Sequence, residues 1–299
     1  MTLGTFKGAI IQENFGTLPD ISGGLGTDGD PLVVIKFGGN AILNENVLEQ
    51  LVEDTISLID RGVKVVLVHG GGTAVNDALS AIGKTTQKIA GLRVTDSETL
   101  SVAVKVFSEI NEKLTQKFVE RGAQALSFCS QSVNPLISKK MEMLDAEGNA
   151  VDLGWVGEIV DVDVTPLDRW VWAGWMPVVS PFGKDASGQL YNINADHAAL
   201  AIATHLNADA LIFLTDVPGV LRDVQDPSSR ISHLTPKQAQ VCLEEGTISG
   251  GMLPKIKSCL VCLDKGVEKI AILNSFSPHA LLNGYSAPEK YGTLLTRAG

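Results

Sequence analysis

The chain is short of positive charge. Its 24 lysines and arginines are outnumbered by 34 aspartates and glutamates, giving a net charge of −10. That balance argues against broad binding to nucleic acid or to an anionic membrane surface, since both need a basic face. An anionic small molecule is still possible, but only through a local cluster of Lys and Arg. No apolar run reaches the length of a bilayer span, and no basic stretch followed by an apolar one opens the chain. A cytoplasmic protein is therefore the expectation. Aromatic residues are few, at 5%. The four cysteines, Cys129, Cys242, Cys259 and Cys262, contain a single C-x-x-C. With no second pair to complete a zinc site, Cys259 and Cys262 read as small, partly buried residues of an amphipathic helix. The five histidines are scattered and form no H-E-x-x-H. No dedicated metal ligand set is expected.

The common nucleotide signatures are missing too. Gly83-Lys84-Thr85 looks like the end of a P-loop, but the position five residues before Gly83 is Ala78, not glycine. No G-x-G-x-x-G follows a strand, which disfavours a dinucleotide dehydrogenase, and the protein-kinase motif set is missing.

What the chain does have is glycine, 30 residues of it in 299, with 44% apolar and 19% charged residues. That mix suits an α/β enzyme with many short turns. From residue 32 onward, strand and helix patterns alternate. Strands are predicted at 32–37, 63–68, 123–128, 178–180, 210–214 and 267–273, and helices at 45–61, 74–82, 96–121, 195–206, 236–245 and 252–265. Such alternation predicts a three-layer αβα sandwich around a largely parallel open sheet, in two lobes. Residues 138–157 contain Asp145-Ala146-Glu147-Gly148-Asn149, a hairpin-turn signal, so an antiparallel excursion is expected there. Residues 223–230, with Asp226-Pro227-Ser228-Ser229, read as a loop. Residues 1–30 lack sustained periodicity and read as a poorly ordered or loosely docked extension, with one short element near 9–12.

The chemistry gathers where strands end. The run Leu32-Val33-Val34-Ile35 passes into Lys36-Phe37-Gly38-Gly39-Asn40. A glycine pair there lets backbone N–H groups approach an anion, and the lysine adds a mobile positive charge. A tight strand-to-helix turn with one surface lysine would account for it equally well if it stood alone. Four further segments repeat the logic. His69-Gly70-Gly71-Gly72 ends a second strand. Gly91-Leu92-Arg93-Val94-Thr95-Asp96 precedes a long helix, with Arg93 suited either to capture a carboxylate or to sit on the surface. Asn192-Ile193-Asn194-Ala195-Asp196 opens another helix, where capping explains one of the three polar residues but not all of them. Gly250-Gly251-Met252-Leu253-Pro254-Lys255 puts a glycine pair and a lysine at a helix start, where N–H groups and the dipole favour anions. Thr215-Asp216-Val217-Pro218-Gly219-Val220 forms one more strand-end turn.

In this order, these motifs resemble the amino-acid kinase family from about residue 32 to the end. Gly-Gly-Asn after Lys36, with Gly91–Asp96 and Asn192–Asp196, resembles the branch of that family acting on N-acetylglutamate. Aspartate kinases share the first motif but carry Thr-Ser after the glycines and long regulatory domains. The resemblance implies transfer of the γ-phosphoryl group of ATP to the side-chain carboxylate of N-acetyl-L-glutamate, an early step of arginine biosynthesis. It implies that Lys36 and Lys255 bracket the phosphoryl group and that Asp196 orients both. Gly39, Gly71, Gly72, Arg93, Asn192 and Asn194 would bind the amino-acid substrate. Gly38, Thr215, Asp216, Val217, Pro218, Gly219, Val220, Leu221, Thr247, Ile248 and Ser249 would bind the nucleotide. Mg²⁺ would be held mainly by ATP phosphates, since no carboxylate cage is visible. By the same resemblance, residues 31–207 form the amino-acid-substrate and dimerisation lobe and residues 208–299 the nucleotide lobe. The helix at 96–121, with Val102, Val106, Phe107, Ile110 and Leu114, would form a homodimer interface; a helix facing its own core would show the same residues. The alternatives are a kinase of carbamate, uridylate or a carrier-bound amino-dicarboxylate on the same fold, and a non-catalytic metabolite sensor.

The chain ends depart from the pattern. Arginine-inhibited relatives have an amphipathic N-terminal helix and a glutamate five residues after the histidine that corresponds to His279. Here that position is Gly284, and residues 1–30 do not read as such a helix. Weak or absent inhibition by arginine is expected, and a dimer rather than a hexamer. Thr73-Ala74 stands where Pro-Gln is common, so the rim of the substrate pocket is expected to differ.

Overall fold

Strand Leu32–Phe37 (β1) shows how the layers arise. Its side chains alternate between two separate cores: Val33, Ile35 and Phe37 enter one, Leu32 and Val34 the other. A strand covered on both faces reads as an unbroken apolar run, which is why β1 was legible in the sequence. The computed structural model describes residue 25 and residues 30–130, 133–145 and 147–297. Seven more strands join β1: Lys64–His69 (β2), Ala125–Phe128 (β3), Met176–Val179 (β4), Ala210–Thr215 (β5), His233–Leu234 (β6), Lys269–Asn274 (β7) and Gly292–Thr296 (β8). Their order across the sheet is β6-β8-β7-β5-β1-β2-β4-β3. All neighbours run parallel except β7 and β8. The result is the expected αβα sandwich on a largely parallel sheet. Four of its strands come from before residue 207 and four from after it, meeting at the β1–β5 pair.

Helices Glu45–Ile59 (α1), Gly72–Ala81 (α2), Ser97–Glu120 (α3), Thr165–Trp172 (α4), Ala195–His205 (α5), Pro236–Glu244 (α6), Met252–Asp264 (α7) and Ala280–Ser286 (α8) cover the sheet. Side chains cap α1, α3, α5 and α6: Asn44, Asp96, Asn194 and Thr235 each accept from a first-turn N–H. Three of the apolar positions on α3 already have a use, since Val106, Phe107 and Leu114 are buried within the chain's own cores. Their hydrophobicity therefore does not speak for a partner subunit. Cys259 and Cys262 lie buried on the inner face of α7, as expected, and burial pushes both thiols up, so they stay protonated. Among the described residues no helix is long and apolar enough to cross a membrane.

The hairpin signal at residues 145–149 is matched by the antiparallel pair Met143–Leu144 and Ala150–Val151. The excursion is larger than the sequence suggested. Leu136–Lys140, Gly157–Val162, Phe182–Lys184 and Leu190–Asn192 form a second, four-stranded sheet. Helix α4 was also missed, being only eight residues long. Of the N-terminal extension, the element expected at 9–12 lies outside the described residues. Leu25 is docked: its side chain is buried in the core beside α1 and α8, and its N–H donates to the carbonyl of Tyr285 at 3.0 Å.

Because β1, β2, β4 and β5 are parallel, their carboxyl ends share one edge of the sheet. The loops after them, starting at residues 38, 70, 180 and 216, gather there, where open α/β sheets hold ligands.

Candidate active site

Lys36 is the penultimate residue of β1 and points to the same face as Leu32 and Val34. Its partner in register on β5 is Phe213. Lys255, from the first turn of α7, sits 4.5 Å above the Phe213 ring, a cation–π contact. Asp196, in the first turn of α5, lies between the two lysines. Its Oδ1 faces Lys36 Nζ at 3.0 Å, and its Oδ2 accepts from Lys255 Nζ. Burial pushes the Asp196 carboxyl up, but the charges of Lys36 and Lys255 and their hydrogen bonds outweigh it and hold the group well below the carboxylate range. The N-terminus of α5 favours the anion as well. Three residues far apart in sequence thus form one charged cluster, two cations on one carboxylate.

Two cavities lie near this cluster: both lysines line the larger one, and Ala195, the neighbour of Asp196, lines the smaller. The larger, about 430 Å³, is lined by Lys36, Lys255, Gly38, Gly39, Thr215, Asp216, Val217, Gly219, Val220, Leu221, Thr247, Ile248 and Ser249. Every residue expected to bind nucleotide is among them except Pro218. Leu214, Val224, Gly250, Gly251 and Met252 complete the lining and give it an apolar wall. The smaller, about 140 Å³, is lined by Gly71, Gly72, Arg93, Asn192 and Asn194, with Lys88, Phe107, Val156 and Pro181. Of the six residues expected on the amino-acid side, Gly39 alone is placed elsewhere, on the wall of the larger cavity.

Local sequence explains these placements. Gly39 has φ +68°, and a Cβ there would fall 2.5 Å from Asp216 Oδ1. The turn is closed by Asn40, whose backbone N–H and Nδ2 both donate to Asp216 Oδ2, at 3.2 and 3.1 Å. Thr73 donates to Asn40 Oδ1 at 3.4 Å and so ties the second glycine loop to the first. Gly38 and Gly70 pass close together: a Cβ on either would come within 3.3 Å of the other's Cα. Helices α2 and α7 both start at cavity walls with glycine in the capping position and no side-chain cap. The backbone amides of Gly71, Gly72, Gly250 and Gly251 have no hydrogen-bond partner among the described residues. N–H groups open at these helix starts, with Lys88 on the wall of one cavity and Lys36 and Lys255 on the wall of the other, suit an anion on each side.

Arg93 is buried, on a short hairpin whose turn has Ala90 and Gly91 at φ +48° and +82°. Its Nη1 donates to Asn76 at 2.5 Å and to Thr86 at 2.7 Å, and its Nη2 to the carbonyl of Gly72 at 2.8 Å. Those bonds fix the guanidinium and leave two of its five N–H groups for a ligand. Asn192 Nδ2 donates to Thr95 Oγ1 at 3.1 Å. Asn194 lines the cavity while its Oδ1 caps α5, so the capping role and the site role fall on one side chain. Asn76, Thr86 and Phe213 were not singled out in the sequence. They are supports that only the tertiary structure brings near.

His69, just before the second glycine loop, is fully buried and neutral. Burial lowers its pKa from 6.5 to about 4, although a hydrogen bond to the Gly70 carbonyl opposes that. The folded state therefore binds this proton less readily than the unfolded state. Stability from His69 is full above pH 6.5 and is lost as pH falls through about 4. The loss should reach about 3 kcal/mol. Urea unfolding at a series of pH values, repeated for His69→Gln, checks this: the variant should flatten that part of the profile.

The amino acid kinase family profile matches residues 31–274. This chain belongs to the amino acid kinase family. Within the family it is 40% identical over 272 residues to the acetylglutamate kinase of Methanococcus maripaludis, covering 90% of this chain and 92% of that one. The acetylglutamate kinase of Methanocaldococcus jannaschii is 38% identical over 271 residues, covering 89% and 90%. Among solved structures, N-acetylglutamate synthase from Neisseria gonorrhoeae, complexed with coenzyme A and N-acetyl-glutamate, superposes with a TM-score of 0.80 at 23% identity; 90% of this chain covers 60% of that longer one. Carbamate kinase from Giardia lamblia bound to AMP-PNP gives 0.64 at 16% identity, covering 90% and 99%. At those identities the two structures speak for the family fold alone.

Proposed function

We propose that this chain transfers the γ-phosphoryl group of ATP to the side-chain carboxylate of N-acetyl-L-glutamate, forming an acyl phosphate in arginine biosynthesis. The observation that carries this reading is the Lys36–Asp196–Lys255 cluster, whose two lysines line one cavity and whose aspartate follows Ala195 on the wall of the other. The larger cavity takes ATP and the smaller takes N-acetylglutamate.

A carboxylate has no proton to lose at neutral pH, so the nucleophile needs no general base. Positioning and charge stabilisation carry the reaction. Gly71 and Gly72 amides hold the reacting end of the substrate, and Gly38 and Gly39 line the path of the transferring group. Lys36 and Lys255 face its oxygens from the nucleotide side, and Asp196 holds both ammonium groups in place. Arg93 and Asn192 take the α-carboxylate, using the guanidinium N–H groups that Asn76, Thr86 and Gly72 leave free. Among the described residues no group of three His, Cys, Asp or Glu could hold a metal. Asp216, the one carboxylate on the nucleotide cavity wall, is engaged by Asn40. This donor set suits Mg²⁺ carried by the phosphates of ATP, where it would neutralise part of their charge.

The test is ADP release coupled to N-acetyl-L-glutamate, with the acyl phosphate trapped by hydroxylamine. Carbamate, uridylate and glutamate are expected to support little turnover. We also propose a cytoplasmic homodimer, which sedimentation can check for oligomeric state. Arginine is expected not to inhibit at sub-millimolar concentration. Gly284 sits inside α8, and a Cβ there would fall 2.2 Å from Leu273 Cδ1, so the position has no room for a side chain that could hold a guanidinium. His279 is meanwhile held by Asp54 at 2.7 Å. An arginine titration of the initial rate decides the point, and half-inhibition below a millimolar would contradict it.

A further inference from the structure

His69 belongs to a strand-end motif, yet the mechanism above gives it no task. It is fully buried at the end of β2. Its Nδ1 lies 2.7 Å from the carbonyl of Gly70 and its Nε2 3.0 Å from Ser180 Oγ. A carbonyl can only accept, so the proton sits on Nδ1, and Nε2 accepts from the Ser180 hydroxyl. Ser180 Oγ accepts in turn from Asn111 Nδ2 at 3.0 Å, and the same amide donates to the carbonyl of Val178 at 2.8 Å. The donors thus run in one direction, from α3 through Ser180 and His69 to the glycine loop.

Gly70 is held on both sides. Its N–H donates to the carbonyl of Phe37 at 2.6 Å, and its carbonyl accepts from His69. In a trans peptide, a carbonyl and the next residue's N–H point in opposite directions. No cis peptide occurs among the described residues. A Gly70 carbonyl fixed on the ring therefore turns the Gly71 N–H away from it. Gly71 has φ +149°, and both Gly71 and Gly72 line the smaller cavity. Three glycines in a row would otherwise sample many orientations.

We propose that His69 is a positioning residue that orients the Gly71 and Gly72 amides for the reacting end of N-acetylglutamate, with Ser180 and Asn111 fixing its tautomer. This rests on the reading of the smaller cavity as the N-acetylglutamate site. Two substitutions separate orientation from packing. Asparagine at 69 can place an amide N–H where Nδ1 sits and still reach the Gly70 carbonyl. Glutamine fills more of the ring's volume, but its amide extends toward Ser180 instead. Packing alone ranks His69→Gln above His69→Asn; orientation ranks them the other way.

The experiment is steady-state kinetics and melting curves for wild type, His69→Gln and His69→Asn. For His69→Gln, kcat/KM for N-acetylglutamate should fall on the order of 30-fold. KM for ATP should change by less than about twofold. His69→Asn should stay within about fivefold of wild type even though it melts lower. Equal losses in the two variants, or losses that track only the folded fraction, overturn the proposal. If neither His69 variant folds, Ser180→Ala decides: a KM for N-acetylglutamate raised about fivefold supports it and an unchanged KM overturns it. A wild-type chain with no N-acetylglutamate turnover overturns the reading of the site and this proposal together, whereas an active wild type with the wrong variant ranking overturns this proposal alone.

Discussion

Lys255→Ala and Lys36→Ala are each expected to lower kcat on the order of 10³-fold while leaving the fold intact. The reason is geometric. Both ammonium groups sit on one carboxylate at the wall of the larger cavity, where the proposed reaction moves charge as the phosphoryl group leaves ATP. Each lysine side chain is only 13% exposed, so bulk water does not replace the lost charge well. The packing cost is small, because neither lysine belongs to the apolar clusters. Lys255→Ala also removes the cation above Phe213 but leaves that ring buried in the core. KM for N-acetylglutamate should change little, because the smaller cavity has neither lysine in its lining. Single-turnover rates with both substrates saturating, alongside far-UV circular dichroism, check this. A rate within about tenfold of wild type in either variant would remove that lysine from the mechanism.

Asp196→Asn should produce a different pattern. The substitution keeps the shape of the side chain but removes the charge that balances two lysines. Two ammonium groups are then left close together and partly buried, which should cost about 2 kcal/mol of stability. Turnover should fall on the order of 10²-fold, because the lysines lose the group that orients them. Nucleotide affinity should hold or improve, since the cavity becomes more positive by one charge. Calorimetric titration with ATP and a melting curve separate the two effects. Loss of nucleotide binding with unchanged turnover at saturation would contradict the assigned role.

Much of this site was legible in the sequence because its parts lie at the carboxyl ends of buried parallel strands. An apolar run such as 32–35 that stops in Lys36 and two glycines marks both the strand and its functional edge. The same holds for His69–Gly72 and for Thr215–Val220. The sequence also announced the helix starts at Ala195 and Met252, through Asn194 and through Gly250-Gly251. What it concealed was lateral order. Nothing local tells that Lys36 stands beside Phe213, or that α7 lays Lys255 over that ring. These contacts follow from sheet register, which depends on long-range pairing. The second sheet was hidden for another reason. Its strands at 182–184 and 190–192 are three residues long, too short to impose an alternating pattern. The apolar positions of α3 were ambiguous from the outset, since a face on the chain's own core and a face on a partner carry the same residues. The site supports Asn76, Thr86, Ser180 and Asn111 are ordinary polar residues in sequence. They acquire meaning only once Arg93 and His69 are seen to need partners.

The most direct measurement is ADP release by the wild-type chain with ATP, Mg²⁺ and N-acetyl-L-glutamate, with hydroxamate formed in the presence of hydroxylamine counted against ADP. One hydroxamate per ADP is predicted, with both signals absent when N-acetylglutamate is omitted and lost in Lys36→Ala. ADP release that does not depend on N-acetylglutamate, or that yields no hydroxamate, would contradict phosphoryl transfer to its carboxylate.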